Sequence, residues 1–162
     1  MRIVIITLLL ALLATMAAAQ HTVNCWGKAI HPELSRVQEA IRFFEHTIDN
    51  VNPRFPAAVH AGRHSCVETY CVHKTSIRYC NDSNQGRTMP LQNIMDSTIV
   101  ISRECVADHE GKKVAGGVVD HPDHWSVVVQ KDDSCTAEGI QDIPGIQNGT
   151  VTVVGAQGDK KE

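Results

Sequence analysis

Two segments of the chain repeat apolar residues at the spacing of an amphipathic helix. In each segment, mostly apolar residues recur at positions i, i+3, i+7, i+10 and i+14, which form one stripe along an α-helix. The first stripe consists of Leu34, Val37, Ile41, Phe44 and Ile48. The second consists of Leu91, Ile94, Thr98, Ile101 and Cys105. The pattern therefore predicts two helices, each with one buried face.

Prolines mark the boundaries of both predicted helices. Pro32 suits the first helical position, and Glu33 favours the positive end of the helix dipole. Asn52-Pro53 ends the first helix, because the residue before a proline avoids the helical conformation. Pro90 precedes the second helix. Cys105 closes the apolar stripe of that helix, so we expect it to link the helix to a sheet.

Segments rich in Thr, Val, Ile and Tyr predict short β-strands. Residues 65–72 and 76–81 form one predicted hairpin, residues 114–120 and 125–130 form a second, and residues 23–28 form a further short strand. The resulting order is β, α, β, β, α, β, β. It predicts an α+β fold, an α/β sandwich with two amphipathic helices packed on one face of a mainly antiparallel sheet and linked by disulfides.

Two features of the second hairpin carry their own predictions. The pair Gly116-Gly117 predicts a bulge or a close approach of two backbone segments. Trp125 begins a run of valines, and we interpret it as a core residue rather than a ligand contact. The turn between the strands, from His121 to His124, contains proline and aspartate, which are common turn residues.

The amino end has the pattern of a secretory signal peptide. Met1-Arg2 is a short basic start, residues 3–16 are almost all apolar, and Ala17 and Ala19 are the small residues that a signal peptidase needs. The apolar run is shorter than the roughly 20 residues of a membrane span, and no later segment is long and apolar enough to be one. The sequence therefore predicts a secreted, extracellular protein without a transmembrane segment.

This pattern divides the chain into three parts. Residues 1–19 are the predicted signal peptide, and residues 20–135 are a predicted single disulfide-stabilised domain. Residues 136–162 are rich in Gly, Gln, Asp and Thr, and they form a predicted C-terminal extension that is partly flexible. Residues 150–154 are a candidate for one last strand.

Six cysteines in a secreted chain predict a disulfide framework. They are Cys25, Cys66, Cys71, Cys80, Cys105 and Cys135. Cys71 and Cys80 face each other if the first hairpin is symmetric about residues 75 and 76, whereas a bridge from Cys80 to Cys105 would tie a strand to a helix. Cys66 and Cys71 are five residues apart, so a regular strand places them on opposite faces. The spacing does not match a zinc site.

The net charge and two glycosylation sequons bear on what the protein binds and on how it is modified. The formal net charge is −3, which gives no electrostatic reason to expect binding to nucleic acid or to an anionic membrane. The sequons that begin at Asn81 and Asn148 predict glycosylation at both residues, each of which must then lie at the surface.

Nine histidines raise the question of a metal site. His60 with His64, and His121 with His124, have spacings that can serve a metal ion, and two aspartates flank the second pair. His21 is a further candidate if processing makes it the first residue. The simpler interpretation places the first four on turns and on solvated surface, so we predict no metal ligand and no cofactor.

No catalytic signature is present in the chain. Neither Gly-x-Ser-x-Gly nor His-Glu-x-x-His occurs. A ribonuclease-like hydrolase would need Glu68 beside His64 or His73 in one cleft, because acid–base catalysis requires both groups within reach of the substrate. Glu45 and His46 are interpreted as the solvated face of the first helix. We therefore predict no catalytic residue.

The order of elements resembles that of a known family. Val23-Asn24-Cys25-Trp26-Gly27 leads into an amphipathic helix, paired cysteine-bearing strands follow, and a second helix ends at a cysteine before the closing strand. This order resembles the fungal killer-toxin-like proteins related to the smut virus killer toxin, and the small cysteine-rich secreted effectors of filamentous fungi. Residues 77–82 and 114–135 also resemble conserved blocks of such proteins. The resemblance implies a split βαβ arrangement and no catalytic residues.

The sequence thus predicts a secreted cysteine-rich protein that acts by surface recognition and is effector-like or toxin-like. Its expected partner is an extracellular target, which is a protein, a cell-wall polysaccharide or a membrane component. A small secreted hydrolase that uses histidine and glutamate is the first alternative. A secreted metal-binding protein that uses His121 and His124, or His21, is the second.

Overall fold

The structure is a computed structural model. It describes residues 21–27, 30–49 and 57–136. The predicted signal peptide, the end of the first helix at Asn52-Pro53, and Asn148 lie outside the described residues. The same holds for residues 137–162 of the predicted C-terminal extension, which include the candidate last strand.

Nine strands and two helices form the described part of the chain. In chain order the strands are β1 (Thr22–Asn24), β2 (Ala58–Ala61), β3 (Ser65–Val72), β4 (Thr75–Asn81), β5 (Arg87–Pro90), β6 (Val106–His109), β7 (Lys112–Ala115), β8 (Gly117–His121) and β9 (Trp125–Lys131). The helices are α1 (Leu34–Asp49) and α2 (Leu91–Glu104). Five strands form one antiparallel sheet in the order β1-β8-β9-β4-β3. The pairs β2-β5 and β6-β7 form separate two-stranded sheets.

Both helices pack on the five-stranded sheet. Helix α1 packs against α2 and places Phe43 and Phe44 beside Tyr70 of β3, while α2 contacts β8 and β9. This arrangement confirms the predicted α+β fold with two helices on a mainly antiparallel sheet. Neither helix of the described residues is long and apolar enough to cross a membrane.

The stripe predicted for α1 faces the core. Val37 and Phe44 are fully buried, and the other three members of the stripe are partly buried. Glu45 and His46 are exposed, as the interpretation of a solvated helix face requires. The helix begins later than its proline predicts, because Glu33 forms a β-bridge with Val114 instead of joining the helix.

The stripe predicted for α2 is also buried, and the helix begins directly after Pro90 as expected. The sheet side of the core consists of alternate residues of the central strands, chiefly Ile77, Tyr79, Val127 and Val129, which are all fully buried. Burial of one such side chain contributes about 1.5–3 kcal/mol to folding. Trp125 is 6% exposed and belongs to the same cluster, which confirms its interpretation as a core residue.

The second predicted hairpin forms, but its first strand is divided in two. Strand β7 ends at Ala115 and pairs with β6, while β8 begins at Gly117 and pairs with both β1 and β9. Gly117 has φ +152°, and a Cβ atom there would overlap the backbone oxygen of Asn24. The predicted close approach at the glycine pair is therefore confirmed, with β1 as the approaching segment.

Three short strands were not predicted. Strands β2, β5 and β6 have four residues each, which is too short for an alternation of apolar and polar residues to be recognised. Their partners are distant in sequence or, for β6, lie across a turn at Glu110-Gly111, where both residues have positive φ. Tertiary pairing rather than local pattern makes these segments strands.

The β3–β4 hairpin has a tighter turn than predicted. Val72 pairs with Thr75, so that only His73 and Lys74 lie between the strands. Both have positive φ, at 49° and 61°, as a two-residue type I′ turn requires. The hairpin is therefore not symmetric about residues 75 and 76, and the Cys71–Cys80 bridge that such symmetry would allow does not form.

A β-bulge decides the pairing of the hairpin cysteines. The register shifts between Glu68 and Tyr70, which places Thr69 as the extra residue and brings Cys66 opposite Cys80. These two cysteines form a disulfide across the strands. The same shift puts Cys66 and Cys71 on one face of the sheet, whereas a regular strand would have separated them.

The remaining disulfides join distant parts of the chain. Cys25 bonds Cys105, which links the end of β1 to the end of α2, so Cys105 does connect its helix to a strand as predicted. The alternative bridge from Cys80 to Cys105 is wrong. Cys71 bonds Cys135 and fixes the segment that follows β9 to the β3–β4 hairpin. All six cysteines are paired.

Candidate functional site

Two turns, the end of β9 and the start of α1 surround a groove of about 410 Å³, which we call the histidine groove. The β3–β4 turn contributes His73 and Lys74, and the β6–β7 turn contributes His109 and Glu110. The other histidine and charged residues that line it are His31, Glu33, Arg36, Lys112 and Lys131. The fold thus gathers three histidines and four cationic side chains that lie far apart in sequence.

Ion pairs position the cations on the α1 side of the groove. The ammonium group of Lys112 donates a hydrogen bond to Glu33, and this contact lowers the pKa of Glu33 below its usual range. Arg36 Nη1 donates to Glu39 Oε2 over 2.9 Å, which lowers the pKa of Glu39 in the same way. Both carboxylates therefore stay charged in mildly acidic solution.

On the opposite side of the groove, carboxylates neutralise less of the positive charge of the lysines. Lys74 Nζ lies 3.2 Å from Asp133 Oδ1, and both side chains are largely exposed. No carboxylate of the described ranges lies within ion-pair distance of Lys131, which is exposed at the end of β9. Lys131 is thus available to an acidic group of a ligand.

His73 stands between a cation and an anion of α1. Its Nδ1 lies 3.4 Å from Arg36 Nη1 and 3.5 Å from Glu39 Oε1. Neutral His73 accepts a hydrogen bond from the guanidinium through this nitrogen, whereas the protonated ring donates to the carboxylate. The Nδ1 atom of His73 thus has both a donor and an acceptor of α1 within reach.

His31 forms the buried end of the groove. It is 5% exposed, and neither ring nitrogen makes a hydrogen bond of regular geometry within the part of the chain that the structure describes. The ring packs so closely on Gly116 that a Cβ there would lie 2.8 Å from its Cδ2 atom. Burial lowers the pKa of His31, and a backbone group of Trp26 opposes this effect only in part.

We expect His31 to make the fold less stable in acid. Because its folded pKa is lowered, the unfolded chain binds the proton first as the pH falls below about 6.5. The free energy of unfolding is highest above that pH and decreases as the pH falls towards the folded pKa. A tenfold difference in proton affinity between the two states corresponds to about 1.4 kcal/mol.

Guanidinium chloride unfolding at pH 7.5 and 5.0 measures this loss. In His31→Phe, which keeps a buried ring but cannot titrate there, the loss is expected to shrink. The matched control is His124→Asn, because His124 is exposed and lies outside the groove. An unchanged loss in His31→Phe would assign the acid sensitivity to other groups.

A second histidine cluster lies at the β8–β9 hairpin. The His121 ring stacks on Trp125 with 3.5 Å between centroids and 4° between planes. His121 Nε2 lies 3.0 Å from Ser97 Oγ of α2, and its centroid lies 6.0 Å from that of His21. Burial lowers the pKa of His121, and charge on His21 lowers it further.

The turn of this hairpin is fixed by an ion pair. Arg87 donates to the backbone oxygen of Asp123 over 2.7 Å and pairs with its carboxylate. His124 has φ +63°, and its backbone N–H donates to the backbone oxygen of His121. This backbone geometry and the exposure of His124 confirm the interpretation of the segment as a turn. The fold places His21, rather than His124, beside His121.

The residues that the hydrolase alternative requires are not brought together. Glu68 accepts a hydrogen bond from Ser76 Oγ over 2.6 Å and lies beside Arg78, on the sheet face opposite the helices. His64 lies in the exposed turn before β3, and His73 lines the histidine groove. Across the described residues, Glu68 forms no hydrogen bond or ion pair with either histidine. His73 lies instead beside the carboxylate of Glu39, which the sequence pattern does not indicate.

The other histidine pair with a metal-compatible spacing is also divided. His60 Nδ1 lies 3.0 Å from Thr88 Oγ1 of the neighbouring strand, whereas His64 Nε2 lies 2.8 Å from Asn84 Oδ1. Each imidazole is thus committed to a different partner. The pair does not converge on a common point, which agrees with its interpretation as ordinary surface structure.

One group of three potential metal ligands in the described residues has its ligand atoms within 4.8 Å of one another. It consists of Glu68, Cys71 and Cys135. Because the two cysteines are bonded to each other, neither offers a thiolate, and the group is not a metal site.

Asn81 does not fit its predicted role as a glycosylation site. It is fully buried, and its Nδ2 atom donates to the backbone oxygens of Gly62 and Gln85 over 2.8 and 2.7 Å. A glycan on this nitrogen would remove those bonds and has no space in the folded chain. Asn81 instead holds the loop after β4 in place. The prediction is wrong because the sequon pattern does not report burial.

Sequence reasoning missed the histidine groove as a unit. The sequence pattern gives no signal for His31, and it relates His73 only to Glu68. The available signal was the placement of His73 and His109 in predicted or short turns, since turn residues frequently form binding surfaces. No local pattern shows that these two turns meet at α1.

The chain was also compared with known proteins. No family model, curated protein or solved structure matches it.

Proposed function

We propose that the protein is secreted and acts by surface recognition, with the histidine groove as the surface that binds an extracellular ligand rich in acidic groups. In this proposal it is a small effector-like or toxin-like protein. The predicted signal peptide and the three disulfides support the extracellular location, because disulfides persist in oxidising compartments. The observation that carries the proposal is the convergence of basic and histidine side chains in one groove.

The groove is built on a rigid frame. Its β3–β4 turn is fixed by backbone hydrogen bonds from His73 and Lys74 to Thr136 and Cys135, of which the second measures 2.6 Å. The Cys71–Cys135 disulfide closes the same contact covalently. A binding surface that is ordered before the ligand arrives loses less entropy on binding.

The charges of the groove favour an acidic ligand. Lys131 has no carboxylate partner in the described ranges, and Lys74 pairs only with an exposed aspartate. The chain has nine histidines, so its net charge moves towards positive as the pH falls from 8 to 5. Glu33, a carboxylate that lines the groove, keeps its negative charge because the contact with Lys112 lowers its pKa. The attraction for an acidic ligand should therefore increase in acidic surroundings.

Binding to dextran sulfate, with uncharged dextran as the comparison, tests this proposal by calorimetry at pH 5.5 and 7.5. We expect dextran sulfate to bind more tightly at pH 5.5, and dextran not to bind. Lys131→Glu should weaken binding about fivefold to tenfold, because reversing an unpaired charge at a binding surface costs on the order of 1 kcal/mol.

The matched control is Lys113→Glu. Lys113 neighbours the groove residue Lys112 on β7, but it pairs with Asp108 and does not line the groove. Equal losses of affinity in both variants would show attraction to net charge alone and would contradict the proposal.

Single-stranded RNA is a useful third probe, because His73 and Glu39 form the histidine–carboxylate pair that a hydrolase requires. Cleavage of the RNA would replace recognition with the hydrolase alternative.

A further inference from the structure

A second cavity, of about 260 Å³, lies where the start of β1 and helix α2 meet the β8–β9 hairpin. His21, His121 and Asp96 are among its lining residues. We propose that His21 and His121 bind one divalent transition-metal ion of the class that imidazole prefers, Cu²⁺ or Zn²⁺. This site is separate from the histidine groove and does not depend on the function proposed for it.

The spacing of the two imidazoles fits a shared ion. With metal–nitrogen bonds of about 2.0–2.1 Å, two imidazoles on one ion have ring centroids about 5 to 6 Å apart. The centroids of His21 and His121 are 6.0 Å apart, with 41° between the ring planes. His21 is exposed at the start of β1, so a small side-chain rotation can adjust its position.

Ser97 determines which nitrogen of His121 carries the proton. The Ser97 hydroxyl donates to the backbone oxygen of Asn93, 3.0 Å away. Its oxygen is therefore the acceptor for His121 Nε2, also 3.0 Å away, and that nitrogen carries the hydrogen. The other nitrogen, Nδ1, keeps the lone pair that a metal binds. A fixed hydrogen bond on the second ring nitrogen is typical of metal-binding histidines.

The plane of the His121 ring is set before any metal arrives. Trp125 stacks on it at 3.5 Å, and Trp125 itself is held by an edge contact with Tyr79 at 6.2 Å. A ligand that is already oriented loses little rotational freedom on binding. Asp96 adds a negative charge to the wall of the same cavity, which favours a cation there.

Titration of Cu²⁺ and, separately, Zn²⁺ into the full chain tests the site. The chain has two tryptophans, so a Trp26→Phe background leaves Trp125 as the reporter. Copper on His121 should quench Trp125 strongly, because the two rings are stacked. Calorimetry should give dissociation constants in the micromolar range or lower, with copper tighter than zinc. Electron paramagnetic resonance should show nitrogen couplings from two imidazoles.

His21→Ala and His121→Gln should each weaken binding at least tenfold, whereas the control His124→Asn should bind as the parent does. Asp96→Asn should weaken it by a smaller factor. Binding that survives in His121→Gln would show a site formed without His121 and would overturn the proposal, as would the absence of quenching at micromolar copper. If His121→Gln fails to fold, His21→Ala decides the question, because His21 is exposed.

Discussion

Removal of the Cys25–Cys105 disulfide, by Cys25→Ala together with Cys105→Ala, is expected to lower the free energy of unfolding by about 4–5 kcal/mol. The bridge spans a sequence separation of 80 residues, so its loss releases a large amount of chain entropy in the unfolded state. It also frees β1, a three-residue edge strand whose one neighbour in the described sheet is β8. A loss of this size is a large part of the 5–15 kcal/mol that stabilises an ordinary domain. Urea unfolding followed by circular dichroism measures it.

The matched comparison is Cys66→Ala with Cys80→Ala. This bridge spans only 14 residues and joins strands that already pair, so its removal should cost about 3 kcal/mol. The order of the two losses tests the physical explanation. An equal or larger loss for the Cys66–Cys80 bridge would show that native contacts, rather than unfolded-state entropy, determine what these disulfides contribute.

Gly117→Ala is expected to destabilise the protein by about 2–5 kcal/mol. At φ +152° an alanine is strained, and its Cβ would overlap the backbone oxygen of Asn24 and lie 3.2 Å from Cys105 Sγ. The substitution therefore pushes β1 away from β8, close to the disulfide that joins the end of β1 to the end of α2. Thermal and urea unfolding of the variant measure the loss.

Gly27→Ala is the control for this substitution. Gly27 follows β1 by three residues, and a Cβ there meets no atom within 4 Å. Its replacement should change the free energy of unfolding by less than about 1 kcal/mol. A nearly unchanged stability in Gly117→Ala would mean that β1 can move aside cheaply, and that its pairing with β8 contributes little to the fold.

The helices and hairpins were predictable because their signals are local. Val37 and Phe44 repeat at helical spacing, and the alternating strands flank turn residues, so each pattern reports a buried face without knowledge of its partner. The disulfide pairing was not predictable, because it depends on the two-residue turn at His73 and on the bulge at Thr69. Each feature moves the register by a residue or more, and either one is enough to change which cysteines meet.

The candidate sites were harder to predict for the same reason. His31, His73 and His109 lie on three separate segments, and His21 reaches His121 only because β1 pairs with β8. The prediction of a glycan at Asn81 failed because a sequon does not report burial. Secretion and a toxin-like or effector-like role stay predictions from the sequence.

By itself, the sequence determined the fold class, the two amphipathic helices, the core position of Trp125 and the need for paired cysteines. These follow from composition and from periodicity within single segments. Only the tertiary structure decided which cysteines bond, which histidines share a groove and which imidazole lies beside His121. The physical reason is that contacts between distant segments depend on strand register and turn geometry, which a single rotated backbone angle or one extra residue can change.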